Sequence, residues 1–174
     1  MIGALRFAAG LALAAVVHVA ATSLLPAFPR FVDLFLVATL VAARHRRAER
    51  ALVAGSFAGW TADVLAATPF GLFGFADAAV GYFTALVARR LVIERNASLI
   101  GLFAAAGAAQ GLILFVLGML VAADGAAPGP AAIVVRAASA ALIGPAWIGA
   151  RSGLAQRWRR RRRGAARRGS SLVS

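Results

Sequence analysis

The 174-residue chain contains no cysteine and no lysine, and only six of its residues are acidic. The lack of cysteine excludes a disulfide framework, a thiol nucleophile and a thiolate metal site. Charged residues make up 14% of the chain, whereas apolar residues make up 61%. A soluble domain of this size has too much surface to bury that excess. The composition therefore excludes a soluble enzyme and a disordered chain, and it predicts a polytopic membrane protein.

Six stretches approach the roughly 20 apolar residues that a helix needs to cross the hydrocarbon core. The second and fourth are short and need support from flanking residues or neighbouring helices. The predicted fold is all-α, with a domain 1–150 of six transmembrane helices and an Arg-rich tail, 151–174, that we expect to be disordered. The spans lie at about 4–25, 31–44, 51–68, 73–89, 98–122 and 131–150.

The positions of the arginines set the orientation of the bundle. Seventeen of the 19 lie near the N-terminus, at the ends of spans two and four and in the loops that follow them, or in the tail. Arg30 is alone on the other side, and Arg136 lies early in span six. Because basic residues in short loops stay on the cytoplasmic side, both termini are predicted to be cytoplasmic. In an alternative, Arg6 and the apolar run 7–21 belong to a cleaved signal peptide, which leaves five spans in the same orientation.

The tail contains a tryptophan followed by a run of five arginines. Like-charge runs are usually solvated, and near an anionic membrane each basic residue gains about 1 kcal/mol. We therefore expect a lipid anchor, with a cytoplasmic protein contact as the alternative. Nucleic-acid binding is not expected, because one Trp and a run of Arg do not supply a folded base-reading surface. The anchor residues are Trp158, Arg159, Arg160, Arg161, Arg162 and Arg163.

Small residues recur at helical spacing in several spans. Membrane helices associate through such faces because small side chains let the backbones approach. GxxxG pairs are common by chance in apolar runs, so packing within one bundle is the simplest interpretation. The glycines predicted to form these faces are Gly55, Gly59, Gly81, Gly107 and Gly111.

Ionisable side chains within the spans are costly in hydrocarbon and indicate pairing or function. The topology places five of them, from five spans, in one polar layer near the outer face, and Arg30 can join them from the outer turn. In a structural interpretation the aspartates neutralise the arginines and fix the helix register. In a functional one, the layer is the floor of an outward-facing site for a partner or ligand. The five residues are His18, Asp33, Asp63, Asp77 and Arg136.

Catalytic and metal-binding patterns such as HExxH, GxSxG and the P-loop are absent from the sequence. We therefore predict no catalytic residue, no metal and no cofactor. Intramembrane hydrolysis would need Asp63 and Asp77 within about 10 Å of each other and facing water. We expect Asp63 to hold the outer turn by hydrogen bonds or a salt bridge, with Arg136 as the first-choice partner.

Four motifs between residues 31 and 90 together resemble the rod shape-determining protein MreD family. They are an Asp-containing apolar run, a Gly-rich helix that ends in Asp, a Gly-containing outer turn and an apolar-Gly-Tyr element. In this chain they lie at Val32–Val37, Gly55–Leu65, Thr68–Phe75 and Ala79–Phe83. The outer-turn residues of interest are Pro69, Phe70, Gly71 and Gly74. The chain departs from the family pattern at Val32, where Pro is usual, and at Asp77, where an apolar or small residue is usual.

The resemblance implies a non-enzymatic, multi-pass protein of the bacterial inner membrane that serves cell elongation and peptidoglycan synthesis. It implies binding to an MreC-like single-span periplasmic protein, and through it to an MreB-like cytoskeleton and the rod-complex peptidoglycan synthases. It also implies a bundle resembling the substrate-binding subunits of energy-coupling-factor transporters. The alternative is a small-solute, vitamin-type binding subunit or transporter, which needs an outward cavity lined by Asp33, Asp63, Asp77 and Trp60.

The predicted orientation is testable by reporters fused to the full chain and to the outer turn. We expect a fluorescent protein after Ser174 to be active and alkaline phosphatase at that position to be inactive, because the arginines hold this end in the cytoplasm. Phosphatase fused after Thr68 should be active. Phosphatase activity at Ser174 would contradict the topology.

Overall fold

The computed structural model describes residues 2–44, 47–90, 96–121 and 129–170, and the side chains within 4–29, 31–44, 47–90, 97–121 and 129–150. All regular secondary structure in these residues is helical. The elements in chain order are α1 (Ile2–Leu24), α2 (Phe28–Phe31), α3 (Leu34–Ala43), α4 (Ala48–Ala66), α5 (Leu72–Arg90), α6 (Asn96–Val121) and α7 (Pro130–Ser170).

Four described helices are long and apolar enough to cross a membrane, and they correspond to predicted spans one, four, five and six. They carry large apolar side chains on their outer surface, such as Leu13, Phe83, Leu112 and Leu142. Apolar surface of this extent indicates contact with lipid rather than with water. The chain thus has the character of a multi-pass helical membrane protein. The four segments are Ala4–Leu24, Leu72–Arg90, Ala97–Val121 and Pro130–Ala150.

Helix α3 lies in the core of the bundle although it has only ten residues. A helix of this length rises about 15 Å, roughly half the thickness of the hydrocarbon core. It contacts α1, α4, α5, α6 and α7, and Phe35, Leu36 and Leu40 are completely buried. Protein therefore covers most of α3, and a membrane protein tolerates an incomplete helix only where protein or water covers its ends.

The predicted second span, 31–44, is divided in the structure. Phe31 ends α2, Val32 is extended, and α3 begins after Asp33. The Asp33 carboxylate accepts hydrogen bonds from the backbone N–H groups of Phe35 and Leu36, at 3.0 and 2.9 Å. This is an N-cap, which satisfies donors that the first turn of a helix leaves free. The cap fixes the start of α3 at a later residue than the apolar pattern predicts.

Helix α4 occupies the position of predicted span three, with 19 residues. It is not among the four segments apolar enough to span a membrane, and it carries Glu49, Arg50 and Asp63. Whether α3 and α4 bring the number of crossings to six therefore stays a prediction.

Helices α4 and α5 pack antiparallel with their backbones in contact. Gly55 and Gly59 of α4 face backbone atoms of α5, and a Cβ at either position would overlap them. From α5, Gly81 faces the Ala51 carbonyl, 2.9 Å from where a Cβ would lie. Glycine at these positions therefore sets how closely the two helices approach.

Helices α6 and α7 form a second antiparallel pair with a similar contact. A Cβ on Gly107 would lie 2.9 Å from the Ala137 Cα, and one on Gly111 would lie 2.8 Å from the Ile133 side chain. The five glycines predicted to pack helices thus lie between helices of one chain.

The backbone of α7 continues as a helix through Ser170, whereas the sequence predicts a disordered tail from residue 151. Arginine, which supplies nine of the 20 residues 151–170, has high helix propensity. The side chains of Trp158 and of Arg159 to Arg163 lie outside the described residues, so lipid anchoring by the tail stays a prediction.

The α4–α5 contact predicts that Gly59→Ala destabilises the protein. We expect a lower midpoint of thermal unfolding in detergent, because the added Cβ overlaps the Phe73 carbonyl and the backbones must separate. Gly101→Ala is the matched control, since nothing lies within 4 Å of a Cβ there and Ala favours a helix by about 1 kcal/mol. An unchanged midpoint for Gly59→Ala would contradict the close contact.

Candidate functional site

The predicted polar layer is a set of buried side chains at one end of the bundle. Asp63 and Asp77 are only 1% and 0% exposed, and His18, Asp33 and Arg136 are also buried. Arg30 lies in α2, and its side chain is outside the described residues.

The Asp63 carboxylate binds the turn that joins α4 to α5. Oδ2 accepts hydrogen bonds from the backbone N–H groups of Gly71 and Gly74, at 2.8 and 3.2 Å. Oδ1 accepts from the Phe73 N–H at 2.9 Å and from the Thr68 hydroxyl at 3.1 Å. Four donors thus converge on one buried carboxylate. They include N–H groups in the first turn of α5, which a helix leaves without an internal partner.

The outer turn has the backbone conformation that this arrangement requires. Ala67, which ends α4, is left-handed with φ 51°, and Gly71 has φ 100°. Phe70 is exposed and stacks on Trp60 with ring centroids 5.9 Å apart. The Trp60 indole also covers Gly74, where a Cβ would overlap it. The Trp60 side chain therefore packs against the predicted outer-turn residues from one side, and the Asp63 carboxylate binds their backbone from the other.

A glutamine joins the other two aspartates of the layer. Gln110 of α6 is completely buried, and its Nε2 donates to Asp33 Oδ2 and to Asp77 Oδ1, each at 2.7 Å. Asp33 therefore caps α3 with one oxygen and reaches α6 with the other. The bridge connects the start of α3, the first turns of α5 and the middle of α6.

Gln110 is the residue that the sequence analysis missed. It carries no charge, and a search for ionisable groups passes over it. The sequence nevertheless contains a sign of it, because Gln110 is the one residue in the apolar run 99–121 whose side chain carries hydrogen-bond donors and an acceptor. Such groups inside a membrane helix find partners on neighbouring helices.

Arg136 connects α7 to two other elements. Its Nη2 donates to the Pro29 carbonyl at 2.9 Å, and its guanidinium lies 5.3 Å from the centroid of the Phe73 ring. One turn later, the Ser139 hydroxyl donates to the Phe31 carbonyl at 2.9 Å. Both carbonyls lie in the short helix α2, whose last turn leaves such acceptors free. The described contacts of Arg136 thus hold α2 and the start of α5.

His18 lies where α1 meets the start of α3. Its ring centroid is 5.3 Å from that of Phe35 and 6.5 Å from that of Phe28. The Nδ1 atom is buried and has no hydrogen-bond partner among the described residues.

Two of the cavities on the surface of the described helices are lined without any aspartate of the layer. One, of about 960 Å³, lies between α1, α3 and α7, and Arg6, Arg47 and Arg50 line it. The other, of about 450 Å³, lies along α4 and α5.

The chemistry of the layer is that of hydrogen bonding between helices. Asp63 and Asp77, which a hydrolytic site would need in contact with water, are buried. Within the described residues no group of three His, Cys, Asp or Glu side chains is placed to hold a metal ion.

No family model matches the chain, and neither the curated proteins nor the solved structures give a match. The geometry of the site therefore has to be interpreted from this chain's own residues.

The contacts of Asp63 predict that even its near-isosteric amide destabilises the turn. Asp63→Asn offers one acceptor oxygen where four donors converge, and its NH₂ group would face backbone N–H groups. We expect a loss of about 2–3 kcal/mol, visible as a lower midpoint of thermal unfolding in detergent.

The control is Glu49→Gln, which makes the same chemical change in the exposed first turn of α4. It should alter stability by no more than about 0.5 kcal/mol. Equal midpoints for the two variants would show that Asp63 does not hold the turn.

Proposed function

We propose that the protein is a non-enzymatic component of the bacterial cell-elongation machinery, similar to the MreD family. In this proposal it crosses the inner membrane six times, with both termini in the cytoplasm. It binds an MreC-like single-span partner, and through it an MreB-like cytoskeleton and the peptidoglycan synthases of the rod complex. The Arg-rich tail adds contact with anionic lipid.

The position of the resembling motifs supports this proposal. Three of the four, Gly55–Leu65, Thr68–Phe75 and Ala79–Phe83, lie in α4, the outer turn and α5. These are the segments that Asp63 and the glycine contacts hold together. Three of the four resembling motifs therefore fall on one structural unit, the α4–α5 hairpin, and the fourth, Val32–Val37, leads into α3, which packs against both helices.

A groove along the hairpin is the observation that carries the proposed binding of a partner helix. This α4–α5 groove combines small residues with larger side chains beside them. Membrane helices associate where small residues permit close approach, so the groove fits one further transmembrane helix. The small residues are Ser56, Gly74, Ala78 and Ala79, and the larger ones are Leu52, Trp60, Phe75 and Tyr82.

Six crossings are consistent with the arrangement of α3 and α4. Arg47 and Arg50 lie at the start of α4, at the end of the helix opposite Asp63. Arg6 of α1 lines the same cavity as these two arginines. Basic residues from two segments thus meet at one end, which supports a cytoplasmic position for that end.

The small-solute alternative receives less support from the geometry. It requires an outward cavity lined by the three aspartates and Trp60. The aspartates are buried and hydrogen-bonded to protein, and of these residues only Trp60 lines one of the two cavities.

The partner is testable by co-purification with an MreC-like single-span periplasmic protein from the same organism. Ala79→Leu fills the α4–α5 groove, and we expect it to reduce the recovered partner by at least tenfold, equivalent to about 1.4 kcal/mol. Ala105→Leu is the matched control, since it adds the same side chain to an exposed position of α6 that lines neither cavity.

Both variants should unfold at the temperature of the unmodified protein, so that a loss of partner reports on binding. Equal recovery with Ala79→Leu and Ala105→Leu would reject the groove as the binding site. Failure of the unmodified protein to retain the partner would reject the proposed function.

A further inference from the structure

The bridge between Asp33, Gln110 and Asp77 has fewer donors than acceptors. The Gln110 amide carries two N–H donors, and Asp33 Oδ2 and Asp77 Oδ1 take one each. The other Asp33 oxygen accepts two backbone N–H groups of α3. Asp77 Oδ2 and Gln110 Oε1 are buried and have no hydrogen-bond partner in the described part of the chain. With both acids ionised, these two remaining atoms are acceptors only.

Exchanging the positions of the amide oxygen and nitrogen of Gln110 would increase the excess of acceptors over donors. The amide oxygen would then lie 2.7 Å from two carboxylate oxygens, and three acceptors would meet without a donor. A hard metal cation in place of a donor takes about six oxygen ligands or more. Only two oxygens of this bridge are without a partner among the described residues. A single hydrogen between them is the smallest group that would satisfy both.

We propose that Asp77 holds a proton on Oδ2 and donates it to Gln110 Oε1, so that the three side chains form a buried proton-binding site. The acid and the amide then make two parallel hydrogen bonds, Nε2–H to Oδ1 and Oδ2–H to Oε1. One proton satisfies both unpartnered atoms. Asp33 stays the anionic member, since both of its oxygens already accept N–H groups.

The charges around Asp77 fit this assignment. The groups that act on it from packed elements are Asp33 at the start of α3, Asp63 of α4 and Arg136 of α7. From α6 it faces the neutral amide of Gln110. An ionised Asp77 would be a third carboxylate beside one guanidinium, in a position with no exposure to solvent. Burying an unpaired charge is costly, and a carboxyl group so placed takes up a proton instead.

The proton makes the contact between three helices possible. Without it, the Gln110 amide would hold two anions, from α3 and α5, on one pair of N–H groups. With it, the link from α6 to α5 consists of two hydrogen bonds. The site therefore makes the packing of α5 against α6 dependent on a bound proton.

Infrared spectroscopy of the full-length protein in lipid vesicles tests the site directly. A protonated carboxylic acid has a carbonyl stretch separate from the carboxylate and amide bands, and the chain has only six acidic residues. At neutral pH, where exposed carboxyl groups are ionised, we expect one such band. It should shift in D₂O and be lost in Asp77→Asn.

Asp77→Asn should fold as the unmodified protein does, because its NH₂ group replaces the donated hydrogen. Asp77→Leu should lower the unfolding midpoint, because it leaves the Gln110 oxygen without a donor. Glu49→Gln, at an exposed acid, should leave the infrared band unchanged.

Absence of the band from the unmodified protein at neutral pH, or its persistence in Asp77→Asn, would overturn the proposal. Loss of the band when sodium replaces choline in the buffer would show that the site takes a metal cation, and would overturn it equally.

Discussion

The carboxylate of Asp63 holds α4 and α5 together, and the position of Asp77 in α5 depends on it. At the end of one helix it accepts N–H groups from the start of the next, and so replaces the water that would otherwise hydrate them. In a bilayer this replacement is decisive, because each unsatisfied backbone group costs several kcal/mol. The turn can therefore be short, and α5 begins at a fixed height beside α4. That height brings Asp77 within reach of Gln110 on the neighbouring helix.

The close approach of the hairpin also shapes its outer surface. Because Gly55 and Gly59 let the two backbones touch, larger side chains have no room between the helices. Trp60 and Phe75 are accordingly exposed beside small residues, and a shallow groove results. Larger residues in place of these glycines would separate the helices, and they would change both the packing of the hairpin and the shape of the groove. Internal packing and the surface available to a partner are thus set by the same glycines.

Composition and the length of apolar runs are sufficient to predict an all-helical membrane protein, because both reflect a solvent that cannot hydrate the backbone. The direction of successive spans likewise predicts a polar layer that contains Asp33, Asp63 and Asp77. The bonding within the layer depends on local conformation that no periodicity encodes. The donors to Asp63 converge in a turn where Ala67 is left-handed and Gly71 has a positive φ. Gln110 carries no charge, so predicting its role from the sequence requires a search for buried side chains that can form hydrogen bonds.

The shortness of α3 has a consequence for how the protein is made. A segment of ten residues has too little apolar length to leave the translocon and enter lipid alone. Of the helices that contact it, only α1 precedes it, and α4 to α7 are synthesised after it. Membrane integration must therefore be cooperative, with α3 kept in the insertion machinery until later helices emerge and enclose it.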